Sequence, residues 1–382
     1  MKKVVIFGST GSVGTQTLDV IEKNSEDFSV LAIIGNKNIP LLKAQWEKFH
    51  PKFVGIFSRE QGEKCANQHM FNGSTVVFGD DVKSLASMAE ADIIVIASGG
   101  ISSLPYLAGA INAGKHIALA NKETIVCCGD LLLEKAKQTG AEIFPVDSEH
   151  SALWQCSRSE RKCDITRLIL TASGGGFLKT PLAELEKITP QMAVKHPNWN
   201  MGGKITVDSG TMVNKALELI EACHLFDVPE KMVEVVIHPQ SIIHSMVQYC
   251  DGTTLAHMSS PSMEIPILQA LTKNYRGKTN VKPLDFEVMS QLTFEKPQRN
   301  RHEALWLARE VINQGGFAPL AFNVANEVLV DAFFDGKIKF TDIVNKNRLL
   351  LNKIDIGASY ALENVSGAID IAVRETKGII ND

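Results

Sequence analysis

The sequence predicts an α/β fold in three parts. A parallel sheet with helices on both faces is expected over residues 1–147, an α+β segment over 148–271, and a helical part over 300–382 after a linker at 272–299. Three observations carry this expectation. Up to residue 147 short apolar runs alternate with amphipathic stretches, the rhythm of βαβ units. Further on, two apolar runs meet across Asp251-Gly252, a hairpin signal. Beyond residue 300 the apolar spacing is helical, with Gly or Asp near several ends.

Taken in order, the strands of the first part are 3–8, 28–34, 53–57, 75–78, 92–97, 116–120 and 141–146, with helical periodicity at Thr15–Asn24, Leu41–His50 and Leu104–Ala113. The first strand runs into Gly8-Ser9-Thr10-Gly11-Ser12-Val13-Gly14. Glycines after a strand and before a helix let backbone approach a pyrophosphate, and the helix start offers unpaired N–H groups. This part therefore reads as a Rossmann-like dinucleotide domain. The second strand ends in Gly35-Asn36-Lys37-Asn38, where a carboxylate would be expected for NAD. A lysine there suits the 2′-phosphate of NADP; the alternative is a solvated lysine in a polar loop. Ala97-Ser98-Gly99-Gly100 and Ala120-Asn121-Lys122-Glu123 close two further strands, and such strand ends are where ligands sit in these sheets.

The run 141–146 leads into Asp147-Ser148-Glu149. If the strand continues, Asp147 and Glu149 project the same way, and two converging carboxylates call for a hard divalent cation. A solvated loop is the competing reading. In the middle part, Arg167–Ala172 reads as a strand followed by Ser173-Gly174-Gly175-Gly176, either an anion-holding turn or a structural one. His196-Pro197-Asn198-Trp199-Asn200-Met201-Gly202-Gly203 has an aromatic, two glycines and no period, which reads as a mobile lid or an exposed loop. Asp208 or Ser209 is expected to cap a helix that carries Asn214, Lys215 and Glu218 near one face. Its neighbours Met212, Val213, Ala216 and Leu217 are apolar, so that helix is substantially buried and its polar set needs partners. Strands are expected at 233–237, 242–248 and 253–257, and His238, His244 and His257 on or beside them fit no zinc spacing. Helices are expected at His302–Gln314, Leu320–Phe334, Thr341–Asn352 and Ser359–Thr376.

Composition narrows the class. The 382 residues are 45% hydrophobic and 21% charged, the balance of an ordinary globular protein. A net charge of −4 gives no global attraction to nucleic acid. No apolar run reaches the ~20 residues that span a bilayer, and Met1–Gly8 lacks the pattern of a signal peptide. The seven cysteines, at 65, 127, 128, 156, 163, 223 and 250, have no ligand spacing and suit a reducing compartment. The expectation is a cytoplasmic protein with no membrane or nucleic-acid partner.

With these motifs in this order, the sequence closely resembles the 1-deoxy-D-xylulose-5-phosphate reductoisomerases, bacterial enzymes of non-mevalonate isoprenoid synthesis. The likeness is densest at Gly8–Gly14, Asn121–Glu123, Pro145–His150, Ser173–Phe177, His196–Gly202 and Val207–Glu221. It implies that Asp147, Glu149 and Glu218 hold one Mg²⁺ or Mn²⁺. It implies that Ser148, Ser173, His196, Ser209, Asn214, Lys215 and Glu218 contact a phosphorylated sugar-like substrate, reached also by Lys122 and covered by Trp199. Ser173, Ser209, Asn214 and Lys215 would surround its phosphate. Thr10, Gly11, Ser12, Val13, Asn36, Lys37, Asn38, Asn121, Glu123 and Gly202, with Gly35 at the strand end, would face NADPH. A homodimer joined through the middle sheet is also implied. Gly176, Gly203 and Asn36 depart from the family pattern, which more often has proline, a basic residue and glycine there.

The implied reaction suits these residues. A hydroxy-ketone is rearranged to an aldehyde and then reduced, giving 2-C-methyl-D-erythritol 4-phosphate. A cation chelated by neighbouring ketone and hydroxyl oxygens is both Lewis acid and template, and the phosphate supplies binding energy away from the reacting carbons. Two other functions use some of the same residues: an NADP-dependent dehydrogenase without isomerase activity, which needs no carboxylate trio, and a non-catalytic NADP(H)-binding regulator, which needs no polar groups at buried strand ends.

Overall fold

Burial explains why the early apolar runs are continuous rather than alternating. In the computed structural model, which describes residues 1–194, 202–354 and 360–381, they form β1 (Lys2–Phe7), β2 (Phe28–Gly35), β3 (Phe53–Ile56), β4 (Thr75–Phe78), β5 (Ile93–Ile96), β6 (His116–Leu119) and β7 (Glu142–Pro145). Val4 to Phe7 and Ile93 to Ile96 are almost wholly buried, as strands covered on both faces must be. The interleaved helices are α1 (Ser12–Lys23), α2 (Ile39–Phe49), α3 (Arg59–Asn67), α4 (Leu104–Asn112) and α5 (Lys122–Thr139), and α6 (Ser148–Ser157) follows β7.

The strand order is β4-β3-β2-β1-β5-β6-β7, with every neighbouring pair parallel. Chain order reverses beside β1, which lies between β2 and β5. Ligands of such sheets bind beyond the carboxyl ends of the strands at that point.

This sheet forms the core of the first of two compact units, made of Met1–Thr124, Leu132–Ser151 and Ser262–Lys282. The second unit comprises Ile125–Leu131, Ala152–Pro261 and Pro283–Asp382. It contains β8 (Ile165–Ala172), α7 (Pro190–Ala193), α8 (Gly203–Gly210), α9 (Val213–Phe226), β9 (Val233–Ile237), β10 (Ile243–Tyr249) and β11 (Thr254–Met258). Its sheet runs β11-β10-β8-β9, with β8 and β9 parallel and the other pairs antiparallel. Gly252 turns the β10–β11 hairpin at φ +89°, a conformation glycine adopts freely. The chain then returns to the first unit as α10 (Glu264–Thr272), whose Ala270 carbonyl meets the His116 ring at 2.6 Å.

The remaining helices of the second unit are α11 (Glu303–Gln314), α12 (Ala318–Phe334), α13 (Asp342–Lys353) and α14 (Val365–Asn381). Helix α12 is the centre of this part, buried along most of its length through Phe322, Leu329 and Phe333. The last helix starts later than the periodicity suggests, at Val365 rather than Ser359, and Ser359 itself lies outside the described residues. Among the described residues no helix is long and apolar enough to cross a membrane.

Candidate functional site

In the first unit, glycines bring backbone close to backbone after β1, beside the switch point of the sheet. Gly8 lies at φ +85°, and a Cβ there would come within 2.8 Å of the Ser98 backbone nitrogen. A Cβ on Gly14 would stand 2.1 Å from the Gly8 carbonyl oxygen, so only glycine lets α1 start this close to β1. Gly11 is the N-cap of α1 and supplies no side-chain acceptor, which leaves first-turn N–H groups for an anion. Gly11 and Ser12 are exposed, and Thr10 and Val13 are half-buried. Beyond β2, Gly35 is buried while Asn36, Lys37 and Asn38 are exposed. Asn38 also caps α2, its Oδ1 accepting from the Leu41 N–H at 3.2 Å.

At the end of β6 the polar residues serve two purposes. Asn121 is fully buried and caps α5 by accepting from the Thr124 N–H at 2.9 Å. Its amide donates to the Ser98 and Gly100 carbonyls at 2.7 and 2.9 Å, holding the turn after β5. Lys122, 8% exposed, forms an ion pair with Asp147, 16% exposed. Glu123 sits half-buried in the first turn of α5.

The structure corrects the expected geometry of the carboxylate run. The strand ends at Pro145, and Ser148 already opens α6, so Asp147 and Glu149 do not share a strand face. Proline has no N–H to continue a ladder, and a carboxylate is favoured in the first turn of a helix. Ser148 Oγ donates to Glu149 Oε2 at 2.5 Å.

In the second unit, a turn after β8 carries Ser173, with Gly174 and Gly175 at φ +83° and +71°. The Gly175 N–H donates to Ser173 Oγ at 3.2 Å. A Cβ on Gly175 would lie 2.5 Å from the Ser209 carbonyl oxygen, so this turn is packed backbone to backbone against the end of α8. Asp208 and Ser209 are not caps, as the sequence suggested, but members of α8. The cap of α9 is Met212, a buried residue held at φ +63°. Such a conformation costs a non-glycine residue roughly 1–2 kcal/mol and allows the chain to break between two helices without a glycine at the break.

On α9 the expected grouping forms. Lys215 and Glu218 are 4% and 1% exposed. Asn214 Nδ2 donates to Glu218 Oε1 at 2.5 Å, and the Lys215 ammonium donates to Glu218 Oε2. The buried polar set thus finds some of its partners within the helix itself. Of the expected lid, residues 196–201, including His196 and Trp199, lie outside the described residues. Gly202 is the exposed N-cap of α8, and Gly203 is the first residue of that helix rather than loop.

Comparison with known proteins decides the family. Residues 4–129 match the family model for 1-deoxy-D-xylulose 5-phosphate reductoisomerase, and residues 143–226 and 258–376 match models for C-terminal domains of that enzyme. The chain belongs to the 1-deoxy-D-xylulose 5-phosphate reductoisomerase family. A reductoisomerase from Geotalea uraniireducens is 46% identical over 344 residues, covering 90% of this chain and 89% of the relative. One from Clostridium novyi is 43% identical over 371 residues, covering 96% of each. A crystal structure of a DOX-P reductoisomerase in complex with NADPH, fosmidomycin and magnesium aligns with a TM-score of 0.94 at 36% identity, covering 100% of this chain and 98% of that one. The Zymomonas mobilis reductoisomerase in complex with NADPH aligns at 0.93 with 38% identity, covering 99% of each chain.

Two buried polar groups on these helices escaped the sequence reading. Glu221, 1% exposed, follows Glu218 by three residues on α9, and the spacing of two acids on an apolar helix was the available signal. Asn326 on α12 is fully buried and donates to Asp208. Its signal was the pair Asn323 and Asn326 within a mostly apolar helix.

Proposed function

We propose that this chain carries out its family's reaction through the residues described above: rearrangement of 1-deoxy-D-xylulose 5-phosphate and NADPH-dependent reduction to 2-C-methyl-D-erythritol 4-phosphate. The observation that supports this most is the pairing of buried or half-buried carboxylates with lysines, Asp147 with Lys122 and Glu218 with Lys215. A dehydrogenase without isomerase activity would not need the carboxylates Asp147, Glu149 and Glu218 together.

The donor set fits the group. Asp147, Glu149 and Glu218 offer hard carboxylate oxygens, the ligands of Mg²⁺ or Mn²⁺. When bound, the cation polarises the ketone and lowers the pKa of the neighbouring hydroxyl. Lys215, Asn214, Ser173 and Ser209 take the substrate phosphate. Lys215 would offer its ammonium to a phosphate oxygen and Glu218 would help to hold the cation, so each buried charge would keep an opposite charge beside it. Lys122 balances Asp147 and reaches the substrate, beside Ser148. By the family resemblance His196 would contact the substrate and Trp199 would cover it and exclude water.

NADPH lies along Thr10, Gly11, Ser12 and Val13 and along Gly35 to Asn38, with Lys37 on the 2′-phosphate. Asn121, Glu123 and Gly202 would also face the cofactor. In functional terms residues 1–147 bind NADPH, 148–271 carry catalysis and dimerisation, 272–299 link, and 300–382 form the helical domain. The active form is a homodimer in the bacterial cytoplasm.

The test is NADPH oxidation with 1-deoxy-D-xylulose 5-phosphate, with and without a chelator. Oxidation should require the substrate, stop with chelator, and return with added Mg²⁺ or Mn²⁺. Undiminished turnover without metal would refute the carboxylate assignment and favour the metal-free dehydrogenase. No turnover under any condition would leave only a binding protein.

A further inference from the structure

We propose that Asn326 of α12 is a positioning residue for the phosphate turn: through Asp208 it fixes the end of α8 from which Ser209 is presented. This rests on the assignment of Ser209 to the phosphate end of the substrate, made above. Asn326 is completely buried in the most apolar helix of the second unit. A carboxamide in that setting is costly unless it is partnered. Its Nδ2 donates to Asp208 Oδ1 at 2.8 Å, across 118 residues of chain.

Asp208 is itself 1% exposed, and its other oxygen takes the Lys204 ammonium at 2.7 Å from one turn earlier on α8. One carboxylate therefore ties the start of α8 to its end and ties both to α12. Aspartate suits this because it has two acceptor oxygens, one for each donor.

A second contact from the C-terminal part acts at the same place. Gly210 packs so closely on Phe340 and Phe177 that a Cβ would meet each ring at 3.2 Å. Those two rings cross at 71° with centroids 5.3 Å apart. The next residue back, Ser209, has its carbonyl against Gly175 of the glycine turn. The short segment Asp208-Ser209-Gly210 is thus clamped by Asn326 and Phe340 on the helical side and by the Ser173–Gly175 turn on the other. The C-terminal part, through Asn326 and Phe340, thereby sets where Ser209 stands.

The experiment compares Asn326→Leu, Asp208→Asn, the exchanged double variant Asp208→Asn/Asn326→Asp, and Ser209→Ala in the full-length protein, each assayed for substrate KM, NADPH KM, kcat and melting temperature. Losing the donor to a charged acceptor should raise the substrate KM of Asn326→Leu by roughly tenfold and leave the NADPH KM within about twofold. The exchanged variant restores an amide–carboxylate pair in the reverse sense, and its substrate KM should return to within about threefold of wild type.

A lowered melting temperature with unchanged substrate KM in Asn326→Leu would overturn the inference in favour of a purely structural role. If Asn326→Leu does not fold, the exchange decides: a substrate KM no better than that of Asp208→Asn alone would overturn the proposal. Ser209→Ala separates the two levels. If it leaves the substrate KM unchanged, the phosphate assignment itself falls. If it raises KM while Asn326→Leu does not, only the positioning role falls.

Discussion

Replacing Glu218 by glutamine tests stability and catalysis at the same residue. The side chain is 1% exposed and holds two donors, Asn214 on one oxygen and the Lys215 ammonium on the other. Glutamine keeps the shape but offers one acceptor oxygen where two were used, and it removes the negative charge bonded to the buried Lys215 ammonium. Removing one partner of a buried ion pair costs about 3–5 kcal/mol. The remaining carbonyl still accepts one bond, so the lower end, about 3 kcal/mol, applies here. In a chain of this size that corresponds to a drop in melting temperature of roughly 5 °C.

Turnover should fall further than stability. Cation polarisation of a carbonyl is worth several kcal/mol, and each ~1.4 kcal/mol is tenfold in rate. A loss of about a hundredfold or more is expected, with NADPH binding unchanged because its glycine turn belongs to other elements. The double variant Glu218→Gln/Lys215→Met removes both charges, and well-packed neutral replacements of buried pairs are often neutral or stabilising. It should recover the melting temperature and none of the turnover. Thermal unfolding in chelator, NADPH titration, and turnover across a Mn²⁺ series on wild type and both variants provide the measurement. A single variant with wild-type melting temperature and wild-type turnover would refute the reasoning, as would a double variant that regains activity.

Two further outcomes are expected. Lys37→Ala should weaken use of NADPH by about 1–3 kcal/mol in kcat/KM while leaving the poor NADH activity almost unchanged, because a charge-assisted contact to the 2′-phosphate is lost; equal loss with both cofactors would make Lys37 structural. His244 is held neutral, its pKa lowered to about 4 mainly by burial and further by the neighbouring His257. Its unfolded value is the higher one, so its contribution is complete above pH ~6.5 and is lost as pH falls from there toward ~4, by about 3 kcal/mol in full. Urea unfolding between about pH 7 and pH 5 should therefore show a steeper loss of stability for wild type than for His244→Gln, and identical slopes would remove His244 from the account.

Much of this was legible in the sequence, because burial on both faces leaves a direct trace in composition. Each strand of the first sheet was found within a residue, since strands covered by helices must be apolar throughout and their ends are marked by glycine or polar residues. The hairpin at Asp251-Gly252 was legible because the turn demands a residue that tolerates positive φ. The grouping of Asn214, Lys215 and Glu218 was legible because three- and four-residue spacing on a helix is geometry the backbone imposes alone.

Helix boundaries at the site were another matter. Asp208-Ser209 looks like a helix start, yet it lies inside α8, because the break falls at Met212 in a left-handed conformation no local signal announces. Asp147 and Glu149 look like alternate residues of one strand, yet Pro145 ends the strand and Ser148 begins a helix.

By itself, the sequence determined the family, the parallel sheet, the glycine turns and the chemical identity of the carboxylates, lysines and serines, all of which depend on residue type and spacing along a few turns of chain. Only the tertiary structure decided which groups pair across long stretches of chain. Lys122 on Asp147, Asn326 on Asp208 and the Gly175 backbone on Ser209 each join residues distant in the chain. A long-range partner is set by how elements pack in three dimensions, and packing leaves no periodicity along the sequence from which that partner can be read.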